Sequence, residues 1–529
     1  MHVETFFDRN LGDLGIARAS GPVEQGASHT LNMNDIEKSD SVVVPLKRAN
    51  KGDKPPAEPV EERTLAKGNT HQTTTTRTQR RDSVSSGLAG VRKAARMHKR
   101  MRFTALLHHV TVDQLRESYN GLKRQAAPGI DGITWAEYGK DGEQRLRSLH
   151  QRIHQGSYRA KPARRVFIPK ADGSQRALSI WCLEDKIVQQ ALTTVLNAIY
   201  ETDFLGFSYG FRQGRGQHDA LDALSVGLSR RKVNWVLDAD IQSFFDRMDH
   251  DWILKFLKHR IGDKRVLRLV RKWLTVGVMM DAGRERLDRG APQGAVISPL
   301  LANIYLHYVL DLWAQQWRGR TATGDVIVVR YADDIVLGFQ HDADARGFQR
   351  GLQERLAKFG LNLHPQKTQL IRFGRFARRD CRANGEGKPP TFDFLGFTYY
   401  CTVARVNRRF MVGRKSIKKR MRSQLLEIKQ ALRKRLHHSV GDTGAWLQRV
   451  LRGHLNYYAV PGNQPSLSYF FIRVKRYWLR ALRRRSQRHR MTWVRFGELW
   501  RRFAPDIVLS HDYPARRFDA KTRGRSPVR

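Results

Sequence analysis

The sequence predicts an α+β fold, on three observations. Short β-branched runs such as "DVIVVRY" (325–331) and "IVLGF" (335–339) read as strands. Longer stretches such as "VISPLLANIYLHYVLDLWAQQW" (296–317) carry apolar residues at helical spacing. The two kinds intermix without the regular strand–helix–strand repeat of a doubly wound sheet. With 529 residues, 40% of them apolar, the chain has room for several domains and sizeable cores.

Each element has a local reason. Residues 1–95 are polar and, beyond Phe6 and Phe7, poor in aromatics, so a mostly disordered extension is expected, with Met33 as an alternative start. A helix is expected to begin near "GVRKAARMHKRMRFTALL" (90–107). "TVDQLRESYNGLKRQ" (111–125) is an amphipathic helix with Thr111 or Asp113 near its N-cap. "APGIDGITW" (127–135) is a Pro/Gly turn, and "ARRVFIPKADGSQRALSI" (163–180) a hairpin closed at "ADGS". "NWVLDADIQSFFDRMDHDWILKFL" (234–257) starts as a strand and turns helical near Phe244, and Ser298-Pro299 opens another helix. Beyond about residue 400 the strand signals fade into basic, helix-compatible stretches, "RKSIKKRMRSQLLEIKQALRKRLHH" (414–438) and "YFFIRVKRYWLRALRRRSQRHR" (469–490).

The charge narrows the function. Ninety-six Lys and Arg against 50 Asp and Glu give +46, and so cationic a chain implies a polyanionic partner, nucleic acid first. Roughly eighteen basic residues against four acids in the last sixty, interleaved with aromatics upstream, point the same way. Three scattered cysteines, Cys182, Cys381 and Cys401, form no Cys-x-x-Cys pair, which disfavours a disulfide framework or a zinc knuckle. Without a secretory signal or a run of 18 apolar residues, an intracellular protein with no membrane span is expected.

"VVRYADDIVLGF" (328–339) sets Asp333 and Asp334 side by side between apolar runs, where like charges repel unless cations neutralise them. Carboxylates holding paired Mg²⁺ are a recurrent solution for phosphoryl chemistry, one ion activating the attacking 3′-oxygen and the other steadying pyrophosphate. A further carboxylate is then required, and "VLDADIQSFFD" (236–246) supplies it. Asp238 and Asp240 share one face of a strand, so periodicity alone leaves the choice between them open.

These blocks, in this order, resemble a known family. "APGIDGITW", "VFIPKADGSQRALSI", "GFSYGFRQGRGQHDAL", "LDADIQSFFDRMDH", "APQGAVISPLLANIYL", "YADD", "GLNLHPQKTQLIRFG" and "FDFLGFTYY" follow the sequence of blocks in group II intron-encoded reverse transcriptase/maturases of the bacterial type. The resemblance implies a right-hand polymerase with fingers and palm, followed by an α-helical thumb/maturase domain. It divides the chain into N-terminal helices and fingers (96–235), palm (236–400), thumb/maturase (401–480) and a basic DNA/RNA-binding tail (481–529). No H-N-H endonuclease is expected, because the paired cysteines and histidines of one do not follow residue 480.

The same resemblance implies residue roles. Asp240 is the first metal ligand, Ile241 lends a backbone carbonyl, Asp333 is the second ligand, and Asp334 contributes charge, with Asp238 the fallback. Lys170 and Arg176 grip the incoming triphosphate. Phe244 lies beneath the sugar as a gate against ribonucleotides, Gln293 lines the nucleotide pocket, and Lys367 is the basic residue of the later palm block. Arg452, His454, Tyr457 and Tyr458, within "GAWLQRVLRGHLNYYAVPGN" (444–463), are candidates for RNA binding, with helix packing as the alternative for the tyrosines and a structural role favoured for His454. The implied cofactor is two Mg²⁺, with Mn²⁺ able to substitute. The implied partners are intron RNA, target DNA with its primer 3′ end, and dNTPs. The implied activity is RNA-directed DNA synthesis together with help in splicing and retrohoming.

Overall fold

A computed structural model describes residues 87–169, 175–280, 283–285, 288–291, 293–404, 408–485 and 491–522. The expected extension (1–95) lies almost wholly outside them, as does Lys170. In chain order the elements that frame the site begin with β1 (Ala163–Pro169), β2 (Gln175–Ile180), α1 (Leu183–Asp203), α2 (Gln217–Arg230) and β3 (Trp235–Asp240). Next come β4 (Val278–Met280), β5 (Gly283–Glu285), α3 (Ser298–Leu306), α4 (Leu312–Arg320), β6 (Val326–Tyr331), β7 (Asp334–Phe339), β8 (Gln369–Arg372), β9 (Phe392–Phe394), β10 (Phe397–Val403) and β11 (Phe410–Ser416). Five helices close the described chain: α5 (Lys418–Lys434), α6 (Val440–Tyr458), α7 (Gln464–Arg483), α8 (Trp493–Phe503) and α9 (Pro514–Thr522).

The strands form three sheets, ordered β2-β1-β4-β5, β6-β7-β3-β8 and β11-β10-β9. The second is central. One face sends Leu237, Ala239, Val328, Ile335 and Leu337 into a core shared with α1 and α3. The other sends Val236, Ile327, Val329 and Val336 into a second core, shared with α2 and the C-terminal helices. A sheet buried on both sides needs apolar residues at consecutive positions, which explains why "VIVV" and "IVL" are unbroken rather than alternating. Each of the valine, leucine and isoleucine side chains among these contributes about 1.5–3 kcal/mol by burial.

The local signals are borne out at several points. Thr111 caps the helix Val112–Gly121 by accepting from the Gln114 amide, and proline sits in the first turn of α3. The strand-to-helix switch after Asp240 occurs at Ser243, which adopts a left-handed φ of 49°.

One expectation is corrected. Strand structure does not stop near 400: β10 and β11 pair from Phe397↔Ser416 to Val403↔Phe410. At the edge of its sheet, β11 carries Arg414 and Lys415 within its run, and these charges hide the strand pattern in the sequence. Residues 491–522, expected as part of a tail, are folded. Phe496 and Phe518 enter the second core, and α9 docks on α2 through ion pairs. Arg230 grips Asp519 with two bonds of 2.8 and 2.7 Å, Arg517 meets Asp222 at 3.1 Å, and Lys521 pairs with Asp219. Among the described residues no helix is long and apolar enough to cross a membrane.

One carboxylate, alongside the backbone bonds of Phe103, ties the N-terminal segment to this body. Asp263 caps the helix Lys264–Thr275 and also accepts from the amides of Leu106 and Leu107, at 2.9 and 3.1 Å. Burial raises its pKa, but Arg265 and the three amides outweigh burial and hold it down at about 2. A carboxyl depressed in the folded state stabilises fully above its unfolded value of 3.8, and loses that contribution as pH falls towards 2. Asp263→Asn is expected to cost about 1.5–3 kcal/mol at neutral pH. It should also flatten the stability profile between those two pH values. Urea unfolding across pH checks both, and an unchanged profile refutes the assignment.

Candidate active site

The central sheet builds the site at one end. β6 and β7 form a hairpin in which Tyr331 pairs with Asp334, leaving Ala332-Asp333 as a two-residue loop. Ala332 has a φ of 56°, the positive first position of a type II′ turn, whose twist suits a tight hairpin. β3 pairs with β7 so that Asp240 stands directly opposite Asp334, with Asp238 two residues further in, opposite Val336. Opposed residues of an antiparallel pair carry their Cβ atoms on one face about 4.5–5.5 Å apart. Asp240 and Asp334 are thereby brought together beside the loop that carries Asp333, and Asp238 is set back from it.

A second loop closes over Asp240. The His364 amide donates to the Asp240 carbonyl at 2.8 Å, Ile241 bridges Leu363, and the Gln242 amide donates to Asn362. This brings Lys367 Nζ to 3.3 Å from Asp240 Oδ2. The backbone role of His364 and Asn362 is invisible in the sequence, because it depends on two loops meeting. Among the described residues no three His, Cys, Asp or Glu side chains stand grouped as metal ligands; what the site offers is hard carboxylate oxygen, the donor type that Mg²⁺ and Mn²⁺ take.

The predicted nucleotide residues meet in part. Arg176 Nε, on β2, donates to Gln293 Oε1 at 3.0 Å, and the Gln293 carbonyl accepts from the Ser179 amide at 2.7 Å. Gly294, at a φ of 106°, has no room for a side chain: a Cβ there would stand 2.4 Å from the Ser179 carbonyl. Phe244 follows the left-handed Ser243 just beyond Asp240; it is 2% exposed, and its ring packs edge-on against Phe245 and Tyr305 at 5.5 and 6.1 Å.

Beneath the hairpin lies Arg330, which the sequence reading passed over. Its side chain is fully buried. Nε and Nη2 grip the two oxygens of Asp311 at 2.7 and 2.6 Å. Nη2 also donates to Ser208 Oγ at 2.7 Å, and Nη1 to Asn303 Oδ1 at 3.0 Å and the Ala332 carbonyl at 2.9 Å. All five N–H donors of the guanidinium are thus used. Its backbone pairs with Phe207 and Tyr209, and Gly210 then passes so close that a Cβ would lie 2.3 Å from the Ala332 nitrogen.

The RNA-binding candidates separate. Arg452 is exposed. His454 is buried, donates from Nδ1 to Gln424 Oε1 at 2.9 Å, and stacks on Phe470 at 3.8 Å. Burial pushes its pKa down to about 3, so it is neutral at physiological pH. Tyr457 donates to the Leu395 carbonyl at 2.7 Å, and Tyr458 packs against Phe397. His454 thus ties α6 to α5 and α7, and the two tyrosines fasten α6 to the β9–β10 turn, the packing role that the sequence left open beside RNA contact.

Comparison with known proteins places this geometry. Residues 168–399 match the family described as reverse transcriptase (RNA-dependent DNA polymerase). The chain is 34% identical over 283 residues to Protein YkfC of Escherichia coli (strain K12), covering 47% of this chain and 73% of that protein. It is also 34% identical over 200 residues to the group II intron-encoded protein LtrA of Lactococcus lactis subsp. cremoris, covering 37% of this chain and 33% of that one. To nuclear intron maturase 3, mitochondrial, of Arabidopsis thaliana it is 26% identical over 176 residues, covering 29% and 24% of the two chains.

Tyr457→Phe leaves the buried Leu395 carbonyl without its donor, and is expected to lower stability by about 1–3 kcal/mol. RNA affinity should stay within about twofold, a difference worth less than 0.5 kcal/mol. Urea unfolding and filter binding check the two halves, and lost RNA affinity at unchanged stability returns the ring to the RNA.

Proposed function

Because this chain belongs to the group II intron reverse transcriptase and maturase family, and is an RNA-directed DNA polymerase by that membership, we propose that it copies intron RNA from a primer 3′ end in target DNA. The observation that carries this reading is the register that sets Asp240 opposite Asp334 beside the loop holding Asp333. In this reading the β1–β2 hairpin belongs to the fingers, the central sheet to the palm, and α5 to α7 to a thumb and maturase region.

Two Mg²⁺ ions, or Mn²⁺ in their place, would be held by Asp240, Asp333 and the Ile241 carbonyl with charge from Asp334, and when bound would acidify the 3′-hydroxyl and neutralise the departing pyrophosphate. The chain's own groups do the rest. Gln293 fixes Arg176 through its Nε, which leaves the two terminal nitrogens of the guanidinium to face a triphosphate. Lys170, by family resemblance, adds a second cation from the same hairpin. Lys367, held at Asp240 without substrate, stands within reach of phosphate oxygens when nucleotide is present.

The maturase role is binding. The basic residues of α5 and α7, with exposed Arg452, offer cations to RNA phosphates while aromatic rings inside the bundle keep the helices in place. Splicing itself belongs to the RNA, and the protein stabilises the RNA's active fold. Retrohoming follows when the same complex is primed by target DNA.

Wild-type protein is expected to extend a primer on an RNA template with dNTPs and Mg²⁺, and Asp240→Asn or Asp333→Ala to slow extension on the order of 10³-fold. Absence of extension by the wild type sinks the polymerase reading. For the second role, added protein should accelerate splicing of its intron RNA at low Mg²⁺, equally in wild type and Asp333→Ala. Equal splicing rates with and without protein count against it.

A further inference from the structure

We propose that Arg330 is a positioning residue for the catalytic turn: its guanidinium fixes the peptide between Ala332 and Asp333, and so aims the Asp333 carboxylate. The proposal rests on the polymerase reading above and adds a residue that this reading does not use.

The turn needs such a device. A non-glycine residue at positive φ carries about 1–3 kcal/mol of strain, and persists only where its surroundings over-determine it. Ala332, at 56°, is such a residue. In a two-residue hairpin loop the central peptide is the soft element. Turning it over converts one turn type into another with little movement of the strands, and it moves the second loop residue to a different φ. That second residue is Asp333. A bond to the central carbonyl holds the peptide in one of its orientations, and Arg330 Nη1 makes that bond at 2.9 Å.

The clamp is anchored far from the loop. The two bonds to Asp311 and those to Asn303 and Ser208 leave the guanidinium no freedom to follow a flipping peptide. Asn303 and Asp311 reach it together because the helix changes pitch between them. They are eight residues apart, which on a regular α-helix leaves them about 80° apart around the axis. The π-helical turn His307–Asp311 absorbs one extra residue and brings them to within about 20°. From the opposite side Gly210 leaves no space into which the Ala332 nitrogen can move, and Asn303 Nδ2 holds the Gly210 carbonyl at 2.7 Å. Neutralising Asp311 requires only an ion pair. The additional bond to the loop carbonyl is what couples the pair to the site.

The test compares full-length wild type, Arg330→Gln and Asp333→Ala. Arg330→Gln is expected to lower kcat for nucleotide addition by about tenfold or more, with KM for dNTP and affinity for primer–template held within about twofold. Hydrogen exchange should accelerate in the peptide 326–339 and stay at the wild-type rate in α1. Should Arg330→Gln fail to fold, Arg330→Met with Asp311→Leu removes the carbonyl bond without leaving a buried charge unpaired, and is held to the same criteria. Wild-type kcat in a folded variant overturns the proposal. So does a fall in kcat accompanied by faster exchange throughout the fold, which marks a merely structural arginine. Asp333→Ala separates the two levels: extension by that variant overturns the site assignment itself, whereas its inactivity beside a fully active Arg330 variant overturns only the positioning role.

Discussion

The register of β3 against β7 is the constraint on which the rest of the molecule depends. Side chains alternate along a strand, so a slip of one residue would exchange the faces of Asp240 and Ala239, sending a carboxylate into the core with α1 and α3. Because both faces of the central sheet are buried in separate cores, neither can accept the wrong set. Hydrophobic patterning on two sides thus fixes where two carboxylates stand, although neither contributes to that burial. The helices, the second loop over Asp240 and the C-terminal bundle are all arranged around a sheet that admits one alignment.

Arginine has two distinct uses in this chain. Much of the surplus of positive charge lies on exposed helix faces, where phosphates are its natural counterpart. A smaller set is buried and serves the backbone. Arg212 binds Glu201 and takes the carbonyls of Leu205 and Ser208, each at 2.7 Å, and Arg260 takes those of His98 and Ala95. Arg330 does the same for Ala332. Irregular segments beside a sheet carry carbonyls that no strand partner satisfies, and a planar fork with five donors is the side chain best shaped to satisfy several at once. Counting these residues as nucleic-acid ligands would overstate the electrostatic footprint.

How much of this was legible in the sequence follows from the range of each interaction. The central strands, the turn at Asp333, the cap at Thr111 and the proline-opened α3 rest on residues within a few positions of each other, and they were readable. The order of the motif blocks also carried the family. Family resemblance placed Asp240 ahead of Asp238, which periodicity could not do because both lie on one face of β3; its standing opposite Asp334 needed the partner strand. Arg330 escaped notice because its acceptors are spread from Ser208 to Ala332, and because "VVRY" looks like a strand with one stray charge. The rings of His454, Tyr457 and Tyr458 were readable as either RNA contacts or packing. Amphipathic side chains serve both purposes, and the neighbours Gln424, Leu395 and Phe397, distant in sequence, are what show the packing these rings make.

The docking of α9 on α2 bears on how the molecule is made. Arg230 and Asp519 are 289 residues apart, and Asp219 and Lys521 are 302 apart. At a synthesis rate of about 5–20 residues per second, α2 waits on the order of 15–60 s for α9. During that interval the second core lacks Phe518, and Asp219, Asp222 and Arg230 lack the partners that α9 brings. A product terminated before residue 514 keeps Asp240, Asp333 and Asp334 but lacks Phe518 and the three ion pairs that hold α9 on α2. The last helix is thus a clasp on α2, one buried ring and three charge pairs, that an unfinished copy does not have.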